Sequence, residues 1–283
     1  MIEVFFLYGL ALVWIIFASI EDLRTTEISD WLNYSLVAFA LAFRFFYSLF
    51  NLNNLNFFYQ GLLGFGIFFV LGNLFYYTRM FAGGDSKLMM ALGAVLSLNL
   101  SFVPNLQVFL VFLMLFFFSG AVYGILSSVV TSIKKFKLFR KGFVNRLNES
   151  KKVLLFYSSF GILVMLLSFR IEALFPLGIL CFVFPYFYFF IQTIDKDCMI
   201  RKVNVKNLML GDWLYKDVKV GSKTVKATWD GLNEKEIKLL RKKKFVLIRR
   251  GIAFAPVFLI SFVLLFFVLR FDLVSFLINL FRI

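Results

Sequence analysis

Apolar runs long enough to cross a bilayer recur along most of this chain, and they fix what it can fold into. An α-helix of about 20 apolar residues reaches across the hydrocarbon layer and satisfies its own backbone hydrogen bonds there. Such runs read near 3–20, 32–50, 57–78, 87–103, 106–130, 153–169, 173–193 and 252–269, the fourth being short and polar in its second half. They are rich in Phe and Leu and lack the alternation of an outer-membrane barrel. At 61% hydrophobic residues and a mean hydropathy of +0.86, the chain carries too much apolar surface for a soluble globule. The expected fold class is an all-α polytopic membrane protein of about eight transmembrane helices, roughly six at the fewest, with a small cytosolic α+β insertion. The first run has no basic segment before it and no small-residue cleavage site after it, so it reads as a retained span.

Between 193 and 252 lies the one sizeable polar region, with 16 Lys and Arg against 7 Asp and Glu over 195–250. A second basic loop, "KKFKLFRKGFVNRLNESKK", covers 134–152. "KDVKVGSKTVKATW" (216–229) is strand-like and "NEKEIKLLRKKKF" (233–245) helix-like, which implies a small α+β appendage. The expected domains are a helical core over 1–193, a basic cytosolic domain over 194–251, and a last transmembrane helix with an external tail over 252–283. If both basic loops face the cytosol, alternation puts the turns at 21–31 and 79–87 there too. All of the 31 Lys and Arg then become cytosolic except Arg44, Arg170, Arg270 and Arg282. The net charge of +15 is accounted for by insertion and by anionic head groups, so membrane lipids and not nucleic acid are the expected partners.

Histidine is absent, which excludes Ser-His-Asp triads, Cys-His dyads, HExxH zinc sites and haem held by His. Cys181 and Cys198 make no CxxC pair, so neither a disulfide framework nor a thiolate zinc site is expected, and no metal or cofactor is. Acid–base chemistry falls to carboxylates, Lys, Tyr or Cys. In "RMFAGGDSKLMMALGA" (79–94), Asp85 follows Gly83 and Gly84, which let the chain break and an extended substrate approach closely. Alone, Asp85 reads equally well as a helix N-cap. Asp22, in "ASIEDLRTTEISDWLN" (18–33), lies by the same topology on the same face. Two aspartates at one depth on neighbouring helices can share a proton, one acting as base on a water while the other polarises a peptide carbonyl. That is aspartyl-protease chemistry, and it needs neither metal nor histidine.

The segments D-L-R-T-T-E-I-S-D-W-L (22–32) and A-G-G-D-S-K-L-M-M-A-L-G (82–93) resemble those of the type IV prepilin peptidases and archaeal preflagellin peptidases, the G-x-G-D membrane aspartic proteases. The likeness runs over about 10–130, with Ala82 in place of the first glycine, and "RRGIAFAPVFLIS" (249–261) is similar to the last helix of archaeal members. The resemblance implies Asp22 and Asp85 as the catalytic pair, Gly83 and Gly84 as the substrate approach, and Lys87 as a family-typical neighbour. It also implies an aspartic endopeptidase of the cell membrane that removes the short basic leader of preflagellin or prepilin-like preproteins at the cytosolic face. Without the cysteine-rich segment of larger relatives, N-methyltransferase activity is not expected. Glu21, Glu27 and Asp30 would attract a basic leader, or are simply solvated loop acids.

Other features have plainer readings. Asp195 and Asp197 read as solvated helix-end residues, and Ser86-Lys87 point too far apart on a helix for nucleophile and base. Arg44 either snorkels outward or faces the bundle, and Gly61, Gly64 and Gly66 permit close helix packing. Two alternatives stand beside the protease: a transporter or channel with membrane-embedded carboxylates, and a presenilin-like intramembrane protease, for which no Pro-Ala-Leu segment is present.

Overall fold

The computed structural model of the chain describes residues 2–271, apart from 53, 222, 229, 230 and 250. The external tail expected after the last span lies outside them. In order, the elements are α1 (Ile2–Thr25), α2 (Asp30–Tyr47), α3 (Asn56–Tyr77), α4 (Gly83–Leu96), α5 (Phe102–Lys134), α6 (Phe136–Glu149), α7 (Lys151–Leu167), α8 (Leu174–Thr193), β1 (Ile200–Asn204), β2 (Trp213–Leu214), β3 (Val218–Val220), β4 (Lys223–Val225), α9 (Glu234–Leu240), β5 (Phe245–Arg249) and α10 (Ala255–Arg270). Two compact units divide the chain, one of 1–124 with 252–283 and one of 125–251.

The first unit carries both candidate aspartates. At its centre is α4, where Ser86, Leu88, Met89 and every residue from Ala91 to Leu96 are buried against α1, α2 and α3. Glycines let α3 come close: a Cβ at Gly72 would stand 2.8 Å from the Ser86 carbonyl, and Gly64 faces the Gly93 carbonyl directly. Phe81, Phe112, Phe116, Phe258 and Phe262 fill the core between α4, α5 and α10. The Tyr8 ring of α1 lies 4.5 Å from that of Phe262 in α10.

Arg44 takes the bundle-facing alternative and is fully buried. Its guanidinium donates to the carbonyls of Ala94 (2.8 Å), Val95 (3.1 Å), Ser97 (2.6 Å) and Phe57 (2.9 Å), closing the C-terminal end of α4. Gly61 makes room for its side chain, whereas nothing crowds Gly66.

Among the described residues, five helices are long and apolar enough to cross a bilayer: Glu3–Thr25, Asp30–Leu52, Asn56–Tyr77, Phe102–Lys134 and Leu174–Cys198. A sixth joins α6 and α7 if that pair, bent by 77°, is one span. Of the eight runs seen in hydropathy, those now in α4 and α10 fall short, at 14 residues and 16 described residues. For 87–103, hydropathy averages over a window and so merges the short α4 with the loop beyond Leu96.

The second unit corrects the reading of 134–152 as a loop. It forms α6, an amphipathic helix whose 3.6-residue spacing is hidden by its many cations. Nor are Asp195 and Asp197 solvated ends: Asp197 pairs with Arg146 at 2.5 Å, and Asp195 with Arg249. The α+β appendage is a three-stranded antiparallel sheet ordered β1-β5-β2, with a β3–β4 hairpin turning at Gly221 (φ +62°). Helix α9 covers only part of 233–245. It starts on a capping box of Asn233 and Glu236, and Phe245 already belongs to β5, whose alternating burial sets Val246 and Ile248 into a small core.

Candidate active site

At one end of the first unit, the C-terminal turn of α1 meets the N-terminal turns of α2, α4 and α10. The α1–α2 and α3–α4 turns are tight: Thr26 and Arg79 adopt φ of 61° and 62°, values that side chains with a Cβ rarely take.

Asp22, in the last turn of α1, is buried, and its Oδ2 accepts a hydrogen bond from the Ala255 amide at 2.7 Å. The Phe254 amide bears on the same carboxylate. Asp85 stands on the third residue of α4, ahead of the apolar part of that helix and outside the five long spans. It keeps some accessible surface, yet enough protein surrounds its carboxyl that burial is the first cause pushing it up to about 7. The Asp22 carboxylate adds to that shift, and the Ala82 amide opposes it. The two aspartates thus share one site closely enough for one charge to act on the other, although no hydrogen bond joins them. Among the described residues, no three His, Cys, Asp or Glu side chains gather as a metal would need.

Gly83 and Gly84 are the first two residues of α4, and neither has a positive φ. Gly84 instead supplies space: a Cβ there would lie 3.0 Å from Ile28 Cβ and 3.2 Å from its amide nitrogen. Gly83 faces only Tyr76, at 3.9 Å. Ala82, where the resemblance expects glycine, has φ −71°, so its methyl group costs no backbone strain.

The acids considered for leader recognition have separate settings. Glu21 accepts from the Ser29 amide at 3.0 Å and from the Ser29 hydroxyl, which ties α1 to the start of α2. Asp30 pairs with Lys87 at 2.5 Å, a half-exposed bridge between the first turns of α2 and α4. Glu27 is exposed on the turn. Lys87 is therefore committed to Asp30, while the Ser86 hydroxyl is buried with no hydrogen-bond partner, and the two do not form a nucleophile–base pair.

Two contributions escaped the sequence reading. Asn33, buried on α2, donates from Nδ2 to the Gly84 carbonyl at 3.3 Å and holds the backbone just before Asp85. A lone amide among Leu32 and Leu36 on the packed face of α2 was the available signal. The other is the α10 N-terminus, whose backbone amides leave no side-chain signature.

Residues 9–125 match the type IV leader peptidase family. No curated protein and no solved structure matches the chain. The matched stretch takes in Asp22 and Asp85 and stops well before α10.

Proposed function

With residues 9–125 matching the type IV leader peptidase family, we propose that the protein is a membrane-embedded aspartic endopeptidase of that family working through Asp22 and Asp85. Its substrates are preflagellin or type IV prepilin-like preproteins, cut between the short basic leader and the hydrophobic helix at the cytosolic face. The observation that carries this reading is the meeting of the two carboxyls in one site, where burial and the Asp22 charge hold Asp85 up to about 7.

A carboxyl held there is protonated at slightly acidic pH and can donate to the scissile carbonyl oxygen. In the hydration step, the water oxygen bonds to the carbonyl carbon and its proton passes to Asp22. The carbonyl electron pair moves onto its oxygen, which takes the proton of Asp85. In collapse, the carbon–nitrogen bond breaks, the leaving nitrogen takes the proton from Asp22, and one hydroxyl of the intermediate returns a proton to Asp85. The transport alternative needs acids deep in the spans. In the first unit, Glu3, Glu21, Asp22, Glu27, Asp30 and Asp85 all sit at helix ends or in turns.

Without the cysteine-rich segment, the chain is a peptidase without N-methyltransferase activity. The test is cleavage of candidate preproteins in membranes by Asp22→Asn and Asp85→Asn. Each variant inserts and loses cleavage by about a thousandfold or more, in line with loss of a general acid or base together with its partner. Appreciable processing by either variant refutes the dyad.

A further inference from the structure

The family match ends at residue 125, yet one wall of the site comes from α10. The start of that helix has no cap of its own: its N-cap is Phe254, and Pro256 removes one donor of the first turn. The Ala255 amide still needs an acceptor, because the residue is fully buried. Its acceptor is Asp22 Oδ2 at 2.7 Å, from a helix more than 200 residues away in sequence (|i−j| = 233). A helix N-terminus with a free N–H favours a carboxylate over a carboxylic acid, since the donor and the positive end of the helix dipole both act on the charge.

We propose that Ala255 is a positioning residue: through its backbone N–H, the first turn of α10 holds Asp22 as the ionised base of the dyad and leaves the shared proton to Asp85. This rests on the dyad reading above. The charged groups bearing on Asp22 are Asp85 from α4 and Glu21 from its own helix. From α2, Asp30 is already paired with Lys87, and the first turn of α10 brings no charged side chain. The same bond also fixes the Asp22 oxygens in space, so the lone pair that takes the proton from water is the one Ala255 does not occupy.

The test removes the donor and keeps the side chain. Replacing Ala255 by lactic acid through nonsense suppression exchanges the N–H for an ester oxygen with almost no change of shape. Cleavage of a prepilin-like preprotein is then followed from pH 4 to 9, with kcat and KM separated. The expected result is a kcat about tenfold or more lower at acidic pH, a KM within about twofold, and an acid limb moved up by about one unit. Ala255→Gly keeps the N–H and keeps the acid limb where the natural protein has it. An ester protein that inserts, unfolds at the normal temperature and shows an unmoved acid limb overturns the proposal. So does a loss of kcat that follows only a loss of thermal stability, since that is a packing role. If Asp22→Asn cleaves normally, it is the dyad that fails; if Asp22→Asn is dead and the ester protein behaves as natural protein, it is the role of α10.

Discussion

Asp85 is where burial acts on a charge. Its ordinary value of 3.8 is raised to about 7 first by burial and then by Asp22, so the folded protein holds a proton there that the unfolded chain would release. If Asp85 is the acid, kcat falls as pH rises through about 7, giving an alkaline limb in a membrane cleavage assay; a flat profile from pH 6 to 9 would remove it from that role. Between about pH 4 and pH 7 Asp85 binds more proton in the native state than in the unfolded one, so its contribution to stability decreases as pH rises through that window, and Asp85→Asn removes that contribution. The neighbouring glycines differ in the same concrete way. With Ile28 3.0 Å from a Cβ at Gly84 and only Tyr76, at 3.9 Å, near one at Gly83, Gly84→Ala lowers cleavage several-fold more than Gly83→Ala. The reverse order in initial rates would show that close approach of the 26–29 turn is not what the site requires.

At the scale of elements, α4 is short for its task. Its 14 residues rise roughly 21 Å against a hydrocarbon layer of about 30 Å, so its last carbonyls would end where water does not reach. Arg44 meets those of Ala94, Val95 and Ser97 with three of its four hydrogen bonds, the fourth going to Phe57 in α3, and places a cation at the negative end of the helix, while Asp85 sits at the opposite end. Arg44→Met leaves those carbonyls unpaired and is expected to cost about 3 kcal/mol, on the order of 10 °C in detergent unfolding temperature. Arg44→Lys recovers only part, since an ammonium cannot reach around as a guanidinium does. A Met variant as stable as the natural protein would mean that α4 closes its own end.

For the whole molecule, the site is assembled from segments far apart in the chain, α1 and α4 inside the matched region and α10 beyond it. A chain ended after residue 251 keeps both aspartates and the whole matched region, yet is expected to insert without cleaving; full activity of that chain in membranes would show that α10 is dispensable. The sequence by itself determined the membrane class, since helix-length apolar runs have no other stable use, and it placed a helix at each of the eight runs. It singled out Asp22 and Asp85 because carboxylates beside apolar runs are costly, and a chain without histidine leaves few other groups for proton transfer. It did not reveal α6, where cations mask the apolar spacing, or the end of α9, where Phe245–Arg249 alternate in a strand that needs β1 as its partner. Tertiary structure alone decided that Arg44 turns inward, that Glu21 and Asp30 are tied to Ser29 and Lys87, and that Ala255 donates to Asp22. The physical reason is common to all three: local patterns report which surfaces avoid water, whereas a hydrogen bond between residues dozens or hundreds of positions apart exists only once packing has set their helices side by side.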